Sequence, residues 1–194
     1  MDLELLVTVG HCAGITDQNG TAFYHLPWGG TFDYRLIGPM SLQSLRPIDK
    51  GFIMRTNTNA RATPFIRNEF GRFFMISGVQ ELPKGTVVCK SGYATEVNCG
   101  FILEIFGNLI HADGTSHDRV VVIQEMVCSH GDSGGPVFKY DEFTSETYLI
   151  GMVFSALIEN GTNYCFIHPV DAILFPGMEV MTIYNTPNIS HSSD

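Results

Sequence analysis

At 194 residues with a formal net charge of −9, the chain can bury one sizeable core and is too acidic for a surface that tracks phosphates. The Arg61, Arg67 and Arg72 region is diluted by Glu69, and no apolar run reaches the length of a membrane span, so neither nucleic acid nor a membrane is expected as a partner. Twenty glycines, nine prolines and only 16% charged residues describe a strand-and-turn protein.

Met1 is followed at once by Asp2-Leu3-Glu4, with no basic stretch and no long apolar segment, so no secretory signal is read in this chain. The β-branched run Val7-Thr8-Val9 then leads into Gly10-His11-Cys12. A second strand-like segment, Phe32-Asp33-Tyr34-Arg35-Leu36-Ile37, opens with an aspartate. Short apolar runs follow at Gly78-Val79, Thr86-Val87-Val88, Phe101 to Phe106, Val120 to Ile123 and Tyr148 to Phe154. They are divided by turn signals, among them Pro83-Lys84-Gly85, Gly107-Asn108, Asp113-Gly114 and Asn160-Gly161. No segment holds a helical period. One short helical turn is expected over Pro169 to Leu174, ended by Pro176-Gly177. The pattern is all-β and compatible with two packed barrels.

The run Gly131-Asp132-Ser133-Gly134-Gly135-Pro136-Val137 carries the most chemical information. Glycines on both sides of one serine permit a tight bend that exposes its Oγ and aims backbone N–H groups at a developing oxyanion. A serine hydroxyl needs a general base, and a neutral imidazole suits that task; the imidazole in turn needs a carboxylate to fix its tautomer. Of the seven histidines, His11 is singled out by its context, at the end of a β-branched apolar run and next to a cysteine. Asp33 heads the cleanest apolar segment among the candidate carboxylates, with Asp17 and Asp49 as weaker rivals because no such run follows them as clearly. The expected set is therefore His11, Asp33 and Ser133, in that order. An esterase with a G-x-S-x-G elbow would place its serine before its histidine, which disfavours that class. The His and Cys residues show no regular metal-ligand spacing, and no metal or other cofactor is expected.

These residues, namely VTVGHC around His11, DYRLI after Asp33, CSHGDSGGPVF around Ser133 and the hairpin CKSGYATEVNCG from Cys89 to Gly100, resemble the chymotrypsin-fold serine peptidases. They look most like the streptogrisin-like branch of bacterial and fungal members. The resemblance implies two six-stranded antiparallel Greek-key barrels. Residues 1–75 would form a first barrel carrying His11 and Asp33, residues 76–184 a second carrying Ser133, and residues 185–194 a loose tail. Relatives carry further strands ahead of the histidine where this chain has ten residues, so the first barrel is expected to be incomplete and the chain truncated at its N-terminus.

The resemblance also assigns roles. Ser133 would attack the scissile carbonyl, His11 would move its proton, and the N–H groups of Gly131 and Ser133 would form the oxyanion hole. Asp132 would shape the loop through a cationic partner that the sequence does not name. Ser155, Ala156 and Leu157 would form the substrate-binding strand. Leu157, where relatives usually have glycine, and the absence of an acid near Met126-Val127 imply a preference for apolar or small residues before the cleaved bond. The implied function is a serine endopeptidase, probed against the alternative of an inactive homologue that only binds; the substrate would be a peptide or protein and the protein a monomer.

Five cysteines point to an oxidising compartment, and with the family to a secreted protein. Cys89 and Cys99 flank a short hairpin and could bridge locally, for about 2–3 kcal/mol. The resemblance implies a second bridge, Cys128 to Cys165, and leaves Cys12 over. The sequons at Asn19, Asn160 and Asn188 are compatible with secretion.

Overall fold

The computed structural model describes residues 4–14, 21–26, 35–69 and 72–186. Two sheets account for nearly all of the regular structure. The first has the order β1-β4-β3-β2, built from β1 (Leu5–Thr8), β2 (Ala22–His25), β3 (Arg35–Ser44) and β4 (Lys50–Met54), all antiparallel. A single 3₁₀ turn, Gly10–Cys12, follows β1, and a cis Arg46–Pro47 bond lies in the loop between β3 and β4.

The second sheet comprises β5 (Phe65–Arg67), β6 (Phe73–Val79), β7 (Val87–Ser91), β8 (Val97–Ile110), β9 (Ser116–Gln124), β10 (Pro136–Asp141), β11 (Glu146–Glu159) and β12 (Thr162–Pro169). Its order is β10-β7-β8-β9-β12-β11-β6-β5, and β10 also pairs with β11. That last pairing closes β7 to β12 into a six-stranded antiparallel barrel, which removes its edges. Register slips at three places along β8 and at Val153/Ser155 of β11 bend the long strands enough to close it. β6 lies parallel to β11 where β12 has stopped, and β5 pairs with β6. Both strands thus hydrogen-bond into the second sheet, although β5 and the start of β6 fall within the 1–75 segment expected in the first barrel. The expected helical turn is present as α1 (Val170–Ile173).

The second barrel encloses Val88, Ile102, Ile123, Val137 and Ile167, each at most 1% exposed. Another core lies between the sheets. There Val9 and Phe52 of the first pack with Val120, Met152, Phe154, Phe166 and Ile173 of the second. Complete burial of a side chain such as Phe52 stabilises by roughly 1.5–3 kcal/mol, so this seam is a strong dock for the β1 and β4 ends that bear the site. Among the described residues no helix is long and apolar enough to cross a membrane.

Candidate functional site

His11 sits on the 3₁₀ turn that ends β1, at the seam between the two sheets. Its ring Nδ1 lies 2.5 Å from Asp49 Oδ2, and its backbone N–H donates to Asp49 Oδ1 at 3.1 Å. A ring N–H donated to the carboxylate at Nδ1 leaves Nε2 as the acceptor. The histidine side chain is 43% exposed and the aspartate only 5%, so the ring is held from its buried side and open on the other. Gln43 braces the turn by donating to the Gly10 carbonyl at 2.8 Å. Asp33, expected to orient His11, lies outside the described residues; among the described residues the carboxylate on the His11 ring is that of Asp49. That residue stands at the head of β4, where a buried Phe52-Ile53 pair follows it after Lys50-Gly51.

Ser133 lies on the loop between β9 and β10. Gly131 and Gly134 adopt φ of +102° and +85°, left-handed angles that favour glycine, and a Cβ on Gly134 would collide with Thr8 of β1. The Ser133 loop therefore abuts the strand that leads to His11. Backbone bonds run from Asp132 N–H to Ser129, from Gly134 N–H to Val153 and from Gly135 N–H to Asp132. Among the described residues, no hydrogen bond engages the N–H of Gly131 or of Ser133.

Asp132 points inward and is wholly buried. It accepts N–H bonds from Ala94 at 2.8 Å, Thr95 at 3.0 Å and Ser129 at 2.9 Å, together with the Thr95 hydroxyl at 2.6 Å. Its cationic partner is Lys90 of β7, whose Nζ lies 3.4 Å away and donates to Thr95 Oγ1 and to the Glu96 carbonyl. Burial pushes the Asp132 carboxyl up, but the bonds from Thr95 and Ser129 and the Lys90 charge hold it below the ordinary aspartate value. Burial draws the Lys90 ammonium below the ordinary lysine value, with Asp132 opposing. Thr95 and Ala94 sit in the turn between β7 and β8, across which Cys89 and Cys99 are bonded as register partners. The second disulfide joins Cys128 to Cys165, and Cys12 is free.

His11 and Ser133 line one cleft of about 300 Å³ together with Cys128, Ser129, His130 and the β11 segment from Val153 to Ile158. Ser155, Ala156 and Leu157 are all on its wall. Met126, expected near the pocket base, is completely buried in the core of the closed barrel, and Cys128 lines the cleft. A hollow of about 360 Å³ between β6, β8 and α1 is lined mainly by apolar side chains and contains neither serine nor histidine, so the chemistry belongs to the smaller cleft.

Two residues here escape a reading of the sequence, Lys90 and His168, whose Nε2 accepts the Asp49 backbone N–H at 3.1 Å, and Asp49 itself ranks there only as a weaker rival of Asp33. A lysine set in the apolar strand Val87-Val88-Cys89-Lys90 is the one available signal for Lys90.

This architecture, a closed barrel with a four-stranded sheet packed against it, is the chymotrypsin-like fold of serine proteases. The chain is similar to Cellulomonas bogoriensis chymotrypsin, at 21% identity over 86% of this chain and 79% of that one, with a TM-score of 0.63. It is also similar to a Nocardiopsis protease, at 21% identity over 86% and 78%, with a TM-score of 0.65. A serine protease specific for glutamic acid, described as using a histidine triad in substrate binding, matches at 19% identity over 88% and 82%, with a TM-score of 0.69. No protein-family model matches the sequence, and no curated protein matches it.

Proposed function

We propose that the protein is a serine endopeptidase whose triad is His11, Asp49 and Ser133. The observation that carries this is the buried Asp49 carboxylate on Nδ1 of a half-exposed His11, opening on the same cleft as Ser133. In this reading Ser133 Oγ adds to the scissile carbonyl while His11 Nε2 takes its proton, and Asp49 stabilises the imidazolium that forms. The N–H groups of Gly131 and Ser133 receive the oxyanion; a donor of this kind contributes about 3 kcal/mol to the transition state in such sites. His11 then protonates the leaving amine, and water repeats the sequence on the acyl-enzyme. Lys90 and Asp132 hold the loop in shape without touching substrate.

Ser155 to Leu157 would pair with the substrate backbone. The apolar wall formed by Val153, Phe154, Ala156 and Leu157 supports a preference for apolar or small residues before the cleaved bond, since among the described residues no carboxylate lines the cleft to receive Arg or Lys. Faster cleavage after Arg than after Ala or Val in a peptide panel would refute that preference. Two disulfides fit a secreted protein acting on extracellular peptides or proteins as a monomer, with the first sheet and the closed barrel as its two domains.

A fluorophosphonate probe tests the nucleophile directly. Wild type is labelled at Ser133 and Ser133→Ala is not. Absence of labelling in folded wild type would instead favour an inactive homologue that binds peptides.

A further inference from the structure

The carboxylate that holds His11 comes from a loop, and that loop is held from the opposite sheet. Asp49 is 4% exposed and His168 is fully buried on β12, yet the two are joined by the Asp49 N–H donating to His168 Nε2 at 3.1 Å. The imidazole is itself fixed. It stacks on Phe154 with a centroid separation of 4.1 Å and an interplanar angle of 12°, and His117 of β9 lies 5.8 Å from it. The next residue repeats the arrangement: Lys50 Nζ donates to the Ala172 and Ile173 carbonyls at 3.1 and 2.9 Å and lies 4.3 Å over the Phe175 ring. Asp49 and the first residue of β4 are therefore both seated on the β12–α1 segment of the second sheet.

We infer that His168 is a positioning residue: as the neutral tautomer protonated on Nδ1, it accepts the Asp49 N–H and sets the carboxylate against His11. This rests on the triad reading above. Only an unprotonated Nε2 can accept; adding a proton turns the acceptor into a donor facing a donor. The groups around the ring favour the neutral form. Burial pushes His168 down to about 4, His117 on β9 and Lys50 on β4 add to this, and Asp49 and the Arg119 main chain oppose it. β11 presents the uncharged Phe154. His117, which neighbours His111, is itself held low by burial.

The test compares His168→Leu, which removes the acceptor, with His168→Gln, whose side-chain carbonyl can restore it. We expect kcat for peptide cleavage to fall on the order of 10²-fold in the leucine variant with KM nearly unchanged, the loss expected of a small misplacement, and to recover largely in the glutamine variant. A leucine variant with wild-type kcat, or a loss confined to KM, would overturn the proposal. Should the leucine variant fail to fold, nitrogen NMR of the wild type decides: an unprotonated His168 Nε2 coupled to the Asp49 amide supports it, and a protonated Nε2 refutes it. The NMR measurement needs no reactive serine. Failure of fluorophosphonate labelling in the wild type would count against the peptidase reading, and a protonated Nε2 against the role of His168.

Discussion

Lys90 and Asp132 face each other across 3.4 Å with both side chains entirely shielded from solvent. Removing one partner of such a pair leaves an uncompensated buried charge. Lys90→Met is therefore expected to destabilise the protein by roughly 3–5 kcal/mol. The double variant Lys90→Met/Asp132→Asn should be markedly more stable than Lys90→Met alone. Urea midpoints of the four proteins in the cycle give the coupling; additive effects would contradict it.

The same carboxylate gives an acid limb to stability. Because its native-state value lies below the ordinary aspartate value of about 3.9, Asp132 contributes fully above that pH and loses its contribution as the pH falls through the native value. An Asp132→Asn variant should have a flatter stability curve below about pH 4, read by thermal melts across pH.

His168 has the opposite chemistry and a different window. Its native value of about 4 lies below the ordinary 6.5. Above pH 6.5 neither native nor unfolded chain binds the proton; between 6.5 and about 4 the unfolded chain binds it first, so stability falls with pH and levels off below. For this wholly buried ring the loss is on the order of 3 kcal/mol. His168→Gln should abolish that decline, and an unchanged pH dependence would refute the assignment.

Asp49→Asn should lower kcat/KM on the order of 10⁴-fold, as loss of the orienting carboxylate does in the Ser-His-Asp template, while Asp33→Asn leaves it unchanged. Kinetics of the two variants side by side distinguish them. A severe loss in Asp33→Asn alone would return the role to the residue that the sequence favoured.

The two disulfides should be unequal. The chain-entropy model gives about 3 kcal/mol for Cys89–Cys99, which spans 10 residues, and about 4 kcal/mol for Cys128–Cys165, which spans 37. Cys128 lines the cleft and Cys165 lies in the core of the closed barrel, so serine substitutions at this pair should depress both the urea midpoint and peptide turnover. Substitutions at Cys89 and Cys99 should act mainly on stability.

The strand pattern, the fold and the serine loop were legible because short β-branched runs, turn residues and a glycine-rich bend are local signals. Asp49 was not. Lys50-Gly51 interrupts the apolar run behind it, yet both belong to β4, where Gly51 makes room for the Met40 side chain and Lys50 reaches the α1 carbonyls. Lys90 reads locally as a solvent-facing strand residue and becomes interior only when the nucleophile loop folds over it. His168 gives no local sign at all, since its meaning depends on contact with a residue of the other sheet.

The shared core of Val9 and Phe52 with Phe154 and Phe166 has a temporal consequence. In the triad reading, Ser133 stands on the closed barrel, whereas His11 and Asp49 come with the other sheet. A half-folded chain would carry its serine unarmed, and reactivity toward a fluorophosphonate would return during refolding only after the two halves had met.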